Sequence, residues 1–338
     1  MTVIRQEHVS GSYREIGLAH GESLREEIRS ALEFYKQLFA KNEEQNRQQA
    51  ESFAHIIRRY ASHLATEIEG IADGAGLEPF WVYALNARSE MMSLDIPECT
   101  VMCSPEKGLM GQNWDFLEFF EPLIFLLNVE HGSGHRILTM TEPGIVAKIG
   151  LSSAGVGVCL NLLMAPRSTD GVPIHVVLRE VLEAESYDQA LARTRASGIG
   201  KSGNVMVCSA DGRGNNFEFG GDQVDERDLG TSFVHTNHCL FLEEKGMTSG
   251  PLHESTVGRL ERGQALLESY STAWDVPAVK AFLDDSTDDK NSAILQPYHD
   301  FLGMSHGTVC SVVLDLLAGE MHFRLKPDVT APFTTYRV

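Results

Sequence analysis

Three residues of this chain stand out by type and placement: a cysteine at 99, an aspartate at 115 and an asparagine at 237. Cys99 follows the loop Asp95-Ile96-Pro97-Glu98 and opens the apolar run Cys99-Thr100-Val101-Met102-Cys103, so a loop meets a strand at the thiol. Turn arithmetic brings a carboxylate to it. A hairpin turn over Pro105 to Gly108 pairs Ser104 with Leu109, which sets Cys99 opposite residue 114 and beside Asp115. A thiol so placed becomes a competent nucleophile if the cysteine also owns a free α-amino group, because such an amine titrates at about 7.7–8.0 and serves as the local base. Asn237, at the strand end Val234-His235-Thr236-Asn237-His238-Cys239, is a candidate amide donor to a developing oxyanion.

Each piece has a plain alternative: Asp115 as a turn cap, Asn237 as a partner for buried backbone, His235 and His238 as ordinary strand-end residues. Two other functional readings also use these positions. One is an unprocessed, non-catalytic binding protein. The other is an acyltransferase whose Cys99 stays internal to the chain and uses His235 or His238 as base in a papain-like dyad. A metal reading of His235, His238 and Cys239 fares poorly, because the three crowd into five residues without an HExxH motif or a second cluster. Neither metal nor organic cofactor is expected.

The elements that must position these residues change character at Cys99. Residues 11 to 95 read as helical, with apolar residues three and four apart (Ile28, Leu32, Tyr35, Leu38, Phe39, then Phe53, Ile57, Tyr60, Leu64, Ile68, Ile71). The second stretch ends in Asp73-Gly74-Ala75-Gly76, a stop signal, and a third short helix runs from Pro79 to Glu90. From Cys99 onward short strands and glycine turns dominate: 99 to 103, 109 to 115, 123 to 131, 135 to 141, 147 to 163 bent around Ser153-Ala154-Gly155, 203 to 210, 215 to 219, 232 to 236, 308 to 316 and 320 to 325. Helices at 173 to 196, 254 to 271 and 276 to 285 interrupt them. Antiparallel strand runs with inserted helices predict an α+β fold of stacked sheets covered by helices, an αββα sandwich. The boundary at 98/99 divides a helical 1–98 segment from a 99–338 catalytic segment.

Composition narrows the setting. At 338 residues, 43% apolar and 22% charged, the chain has the makings of a packed globular enzyme. A net charge of -19 argues against nucleic acid and anionic membrane as partners, both of which need clustered Lys and Arg. The N-terminus lacks an apolar targeting core and no uncharged run is long enough to span a bilayer, so a cytoplasmic location is expected. The six cysteines have no paired spacing and read as thiols rather than a disulfide framework. Trp114, Phe116, Phe119 and Phe120 are candidate pocket-lining aromatics for an apolar acyl group, or ordinary core residues.

Seven strings in order make the chain similar to the penicillin acyltransferase family (acyl-coenzyme A:6-aminopenicillanic acid acyltransferase, peptidase family C45), a branch of the cysteine N-terminal-nucleophile (Ntn) hydrolases. They include Gly70-Ile71-Ala72-Asp73-Gly74-Ala75-Gly76, Asn86-Ala87-Arg88-Ser89-Glu90, Cys99-Thr100 with Gly111-Gln112-Asn113-Trp114-Asp115-Phe116, Glu142-Pro143-Gly144-Ile145 with Lys148-Ile149-Gly150, and the run through Asn237. The resemblance implies an Ntn sandwich matured by self-cleavage between Glu98 and Cys99, with the 1–98 propeptide remaining associated. It implies Cys99 as nucleophile, Asp115 as catalytic or orienting carboxylate, Asn237 in the oxyanion hole and Asn161 as a pocket asparagine. The substrate it implies is a small N-acyl compound, with acyl-coenzyme A an available donor. Two positions depart from the pattern. Glu98 replaces the glycine that precedes the family's nucleophile, adding bulk and charge at the scissile bond. His306 replaces an arginine, so a permanent cation near the substrate becomes a titratable one.

Overall fold

A computed structural model describes residues 4–93, 96, 99–166, 171–199, 201–247, 254–270, 273–286, 293–325 and 329–338. Before Cys99 the chain forms β1 (Gln6–Gly11), α1 (Tyr13–Ser23), α2 (Arg25–Leu38), α3 (Glu43–Tyr60), α4 (Ser62–Ala75), α5 (Pro79–Asn86) and α6 (Arg88–Met91). After it come β2 (Thr100–Ser104), β3 (Leu109–Leu117), β4 (Phe125–His131), β5 (Arg136–Thr141), β6 (Ile149–Ser152), β7 (Val156–Leu162), α7 (Ile174–Leu182), α8 (Tyr187–Ala196), β8 (Gly203–Ser209), β9 (Gly214–Gly220), β10 (Gln223–Asp228) and β11 (Phe233–His235). The remainder is α9 (Phe241–Glu244), α10 (Glu254–Tyr270), α11 (Val276–Leu283), β12 (His299–Phe301), β13 (Met304–Asp315), β14 (Glu320–Leu325) and β15 (Thr334–Arg337).

The strands build two sheets, one ordered β1-β4-β5-β6-β7-β8-β9-β10 and the other β11-β2-β3-β13-β14-β15, with β12 added on β13. They stack through β2 and β3 against β7, where the buried Gln112 amide spans the gap: its Nε2 donates to Leu160 O at 2.7 Å and its Oε1 accepts from Leu160 N at 3.1 Å. Helices α7 and α8 cover the first sheet. Helices α10 and α11 cover the second, with Val279 and Phe282 of α11 packed against Met102, Val234 and Val313. The α+β sandwich expected from the strand pattern is therefore present.

Segments on both sides of Cys99 share one apolar core, from Ile28 and Leu64 to Val158 and Val205. The N-terminal segment is helical but opens on a strand that the periodicity did not reveal: β1 runs parallel to β4 from Gln6 opposite Leu126 to Gly11 opposite His131 and forms an edge of the first sheet. Glycines set the helix crossing inside this segment. A Cβ on Gly17 would lie 2.0 Å from Glu67 O, and one on Gly74 would lie 2.3 Å from Leu18 O, so α1 and α4 pack backbone to backbone. The stop signal at the end of α4 is Gly76 alone, at φ +65°; Gly74 is a contact residue inside the helix.

Candidate active site

The β2–β3 register is the one the turn arithmetic gives, Ser104 opposite Leu109 through Thr100 opposite Asn113. A 3-10 turn over Pro105–Lys107, closed by Gly108 at φ +61°, makes the hairpin. Cys99 therefore sits one residue before the ladder begins, beside the Trp114–Asp115 end of β3. It is fully buried, with φ +132°. Residues with a Cβ rarely adopt that backbone conformation, and it costs about 1–3 kcal/mol where the surroundings enforce it.

A pair of donors holds the Cys99 carbonyl: Asn161 Nδ2 from β7 at 3.1 Å and Arg259 Nη1 from α10 at 2.8 Å. Arg259 organises the site. The same Nη1 donates to Thr100 Oγ1 at 2.8 Å and lies 4.0 Å from Asp115 Oδ2, while Nη2 donates to Asn237 Oδ1 at 2.8 Å. Burial pulls its pKa down, and the nearby Asp115 and Cys99 oppose that shift. One fully buried guanidinium thus touches or flanks three of the residues that the sequence singled out, Cys99, Asp115 and Asn237.

Asp115 is held from the other side by Thr308, whose Oγ1 donates to its Oδ1 at 2.6 Å. Thr308 lies opposite Asp115 on β13, and the register shifts between Thr308 and Cys310, a bulge at the level of the site. Asn237 is immobilised by its backbone N–H on Thr256 Oγ1 (2.8 Å) and its Nδ2 on Leu162 O (2.8 Å). An amide nitrogen carries two hydrogens, so one bond to Leu162 leaves the second available to an acyl oxygen. Asn161 spans the site: its Nδ2 also reaches His235 O at 3.3 Å and its Oδ1 accepts from Asn204 Nδ2 at 3.0 Å.

The other expected residues lie around this centre. Trp114 and Phe116 face the first sheet, fully buried, with rings 5.1 Å apart and the Lys148 ammonium 3.5 Å from the Trp114 ring centre. An apolar surface hollow of about 540 Å³ starts one residue further along β3, walled by Phe34, Leu117, Phe119, Leu123 and Met304. Phe119 stacks there on Phe34 at 4.2 Å, while Phe120 is core. His306, opposite Leu117 on β13, packs its ring against His299 (5.3 Å) and Phe301 (5.4 Å) of β12. Glu98 lies outside the described residues.

The histidines do not form a dyad with the thiol. His235 has Nε2 on Glu218 Oε1 (2.7 Å) and Nδ1 on Thr236 O (2.8 Å), so both ring nitrogens face acceptors other than sulfur. His238 Nδ1 meets Thr256 Oγ1 at 3.0 Å, and burial, with His235 and Arg259 nearby, lowers its pKa to about 4. All six cysteines are buried thiols. Among the described residues no cluster of three His, Cys, Asp or Glu is arranged to hold a metal, and no helix is long and apolar enough to cross a membrane.

Sequence reasoning missed Arg259, Thr308, Asn204 and Glu218. Arg259 stands in a polar helix, Glu254–Tyr270, among other charged residues, and nothing local distinguishes it from the half-buried Arg262 three positions on.

A two-sheet sandwich capped by helices, with a thiol at the head of an inner strand amid an arginine, an aspartate and two asparagines, is the arrangement of an Ntn-type acyl-transferring enzyme. Residues 103–327, about two thirds of the chain, match the family described as acyl-coenzyme A:6-aminopenicillanic acid acyl-transferase, and the chain belongs to that family. The acyl-coenzyme A:6-aminopenicillanic-acid-acyltransferase 40 kDa form of Emericella nidulans is 29% identical over 346 residues, covering 96% of this chain and 94% of the relative. Among solved structures, a mutant of the conjugated bile acid hydrolase from Clostridium perfringens superposes with a TM-score of 0.52 at 12% identity, over 71% of this chain and 92% of that chain. A second variant of that hydrolase gives 0.50 at 12% identity over the same shares. Likeness at that identity speaks for the fold alone.

Proposed function

We propose that this chain is the precursor of a cysteine Ntn enzyme that splits itself at Glu98–Cys99 and then cleaves a linear amide of a small N-acyl compound, or passes its acyl group to an amine, through a Cys99 thioester. The observation that carries the reading is the Cys99 backbone, at φ +132° with its carbonyl clamped by Asn161 and Arg259. The angle φ exists only while residue 98 is attached, so cutting that bond removes the constraint.

In the cut, the Cys99 sulfur attacks the carbonyl carbon of residue 98. The C–N bond breaks, the Cys99 nitrogen takes up the proton that the thiol gave, and a thioester results. Water then displaces the thiol and leaves a carboxylate on residue 98. In the mature enzyme the freed α-amine accepts the thiol proton, Asp115 orients that amine, and Asn237 stabilises the oxyanion. The acyl group is apolar and occupies the hollow beside Phe34, Leu117 and Phe119; the family's name makes a coenzyme A thioester a candidate donor.

The 1–98 chain stays bound after cleavage. Supporting this are the β1–β4 pairing and two buried ion pairs across the cut, Arg88 Nη2 to Glu142 Oε1 at 2.8 Å and Arg179 Nη1 to Glu67 Oε1 at 2.8 Å. The test is intact mass and N-terminal sequencing of fresh wild-type and Cys99→Ala protein. Wild type yields two species, the larger starting at Cys99, and the mutant yields one. A mutant that still splits at this bond, or a wild type that stays whole while turning over amides, overturns the mechanism.

A further inference from the structure

We infer that Glu218, on β9, is a positioning residue that fixes the Asn237 loop against Cys99. This rests on the reading above that Asn237 faces the acyl oxygen. The Glu218 side chain is wholly buried and is met by four donors. Its Oε1 lies 2.7 Å from His235 Nε2 and accepts from Leu240 N at 2.8 Å; its Oε2 accepts from Phe241 N at 3.0 Å and Leu242 N at 2.9 Å.

These donors lie on both sides of Asn237, one two residues before it and three just after it. The loop is therefore tied to β9 at both ends by one carboxylate. The upstream tie continues into the site: the His235 carbonyl accepts from Asn161 Nδ2 at 3.3 Å, and the same nitrogen holds Cys99 O at 3.1 Å. Glu218 and His235 have the outward form of a carboxylate–histidine dyad, but the second ring nitrogen ends on Thr236 O at 2.8 Å rather than on the nucleophile. The pair holds backbone and transfers no proton.

The chemistry demands a carboxylate. An ionised Glu offers two acceptor oxygens and no donor, which matches four converging donors. Glutamine is no substitute, because its amide nitrogen would meet either the two N–H groups of Phe241 and Leu242 or the His235 and Leu240 donors. The clamp therefore predicts that Glu218→Gln is nearly as damaging as Glu218→Ala, which a space-filling role does not.

The experiment titrates the reactive thiol with a chromogenic aryl ester and measures kcat per titrated site and KM on one amide substrate, beside thermal unfolding. Glu218→Gln and Glu218→Ala are expected to lose about 30- to 100-fold in kcat per site, up to the lower end of what outright removal of an oxyanion donor costs, with KM little changed. His235→Gln loses about tenfold, far less than removal of a general base would cost. Where the larger changes prevent folding, Glu218→Asp carries the test: it keeps charge and acceptors but withdraws them by one methylene, and is expected to lose about tenfold. Wild-type kcat per site in folded Glu218→Gln or Glu218→Asp overturns the inference, whatever happens to the melting temperature. Asn237→Ala in the same assay separates the failures: if it is impaired while the Glu218 variants are not, the clamp alone is wrong, and if it too is unaffected, the oxyanion reading has failed.

Discussion

Arg259→Lys isolates the contribution of geometry from that of charge. Arg259 serves two sides of the site at once, Nη1 on Cys99 O and Thr100 Oγ1 and Nη2 on Asn237 Oδ1, all at 2.8 Å. A lysine keeps the positive charge near Asp115 but has one nitrogen, which can hold one side only. The change therefore removes about one charge-assisted hydrogen bond, roughly 1.5–3 kcal/mol. At about 1.4 kcal/mol per tenfold, the rate of Cys99 acylation should fall by about 10- to 150-fold. The assay is the pre-steady-state burst of a chromogenic aryl ester on titrated enzyme, run beside a time course of cleavage at 98/99 by intact mass. Arg259→Met, which removes the charge too, should be slower still. Wild-type burst and cleavage rates in Arg259→Lys would refute the claim that the fork positions nucleophile and oxyanion donor together.

Asp115→Asn and Asn237→Ala should each cost at least about a hundredfold in turnover per titrated thiol, and a wild-type rate in either removes that residue from the site. Acid stability provides another test. Burial works against ionisation of Glu183, but Arg179 and His131 outweigh it and bring its pKa from 4.5 to about 2. A carboxyl whose folded pKa is depressed stabilises the fold above its unfolded value and loses that contribution as pH falls through the folded one. This one group should therefore shed roughly 3 kcal/mol between pH 4.5 and 2, so the Glu183→Gln curve should be flatter there than wild type in denaturant titrations; parallel curves would contradict the assignment. Gly21→Ala puts a Cβ 2.2 Å from Ile71 O, so α1 and α4 must separate at a cost of about 3 kcal/mol, and an unchanged melting temperature would show that the crossing is not tight.

Much of the fold was legible because its signals are local. The split of 147 to 163 at Ser153-Ala154-Gly155 appears as β6 and β7, with Gly155 at φ +71° in the turn. The β2–β3 register followed from the turn at Pro105 to Gly108, and it brought Asp115 to the Cys99 end of the hairpin. β1, β12 and β15 were not legible, since Gln6–Gly11, His299–Phe301 and Thr334–Arg337 are short and largely polar and become strands only because a partner edge is offered to them. The helix at 173 to 196 is two helices, α7 and α8, broken over residues 183 to 186, where Ser186 caps the second.

By itself the sequence determined the order of helices and strands, the thiol at their boundary and the pairing of the hairpin that follows it, because hydrophobic period and turn chemistry act over a few residues. Tertiary structure decided the rest. Which of the 28 Lys and Arg residues enters the site, and that Asn161 meets the Cys99 carbonyl while Asn237 meets the same guanidinium, depends on how two sheets stack and where α10 lies across them. Arg259 is read as a surface charge along the chain and becomes the central cation only when the fold brings its guanidinium onto the Cys99 carbonyl across a sequence separation of 160.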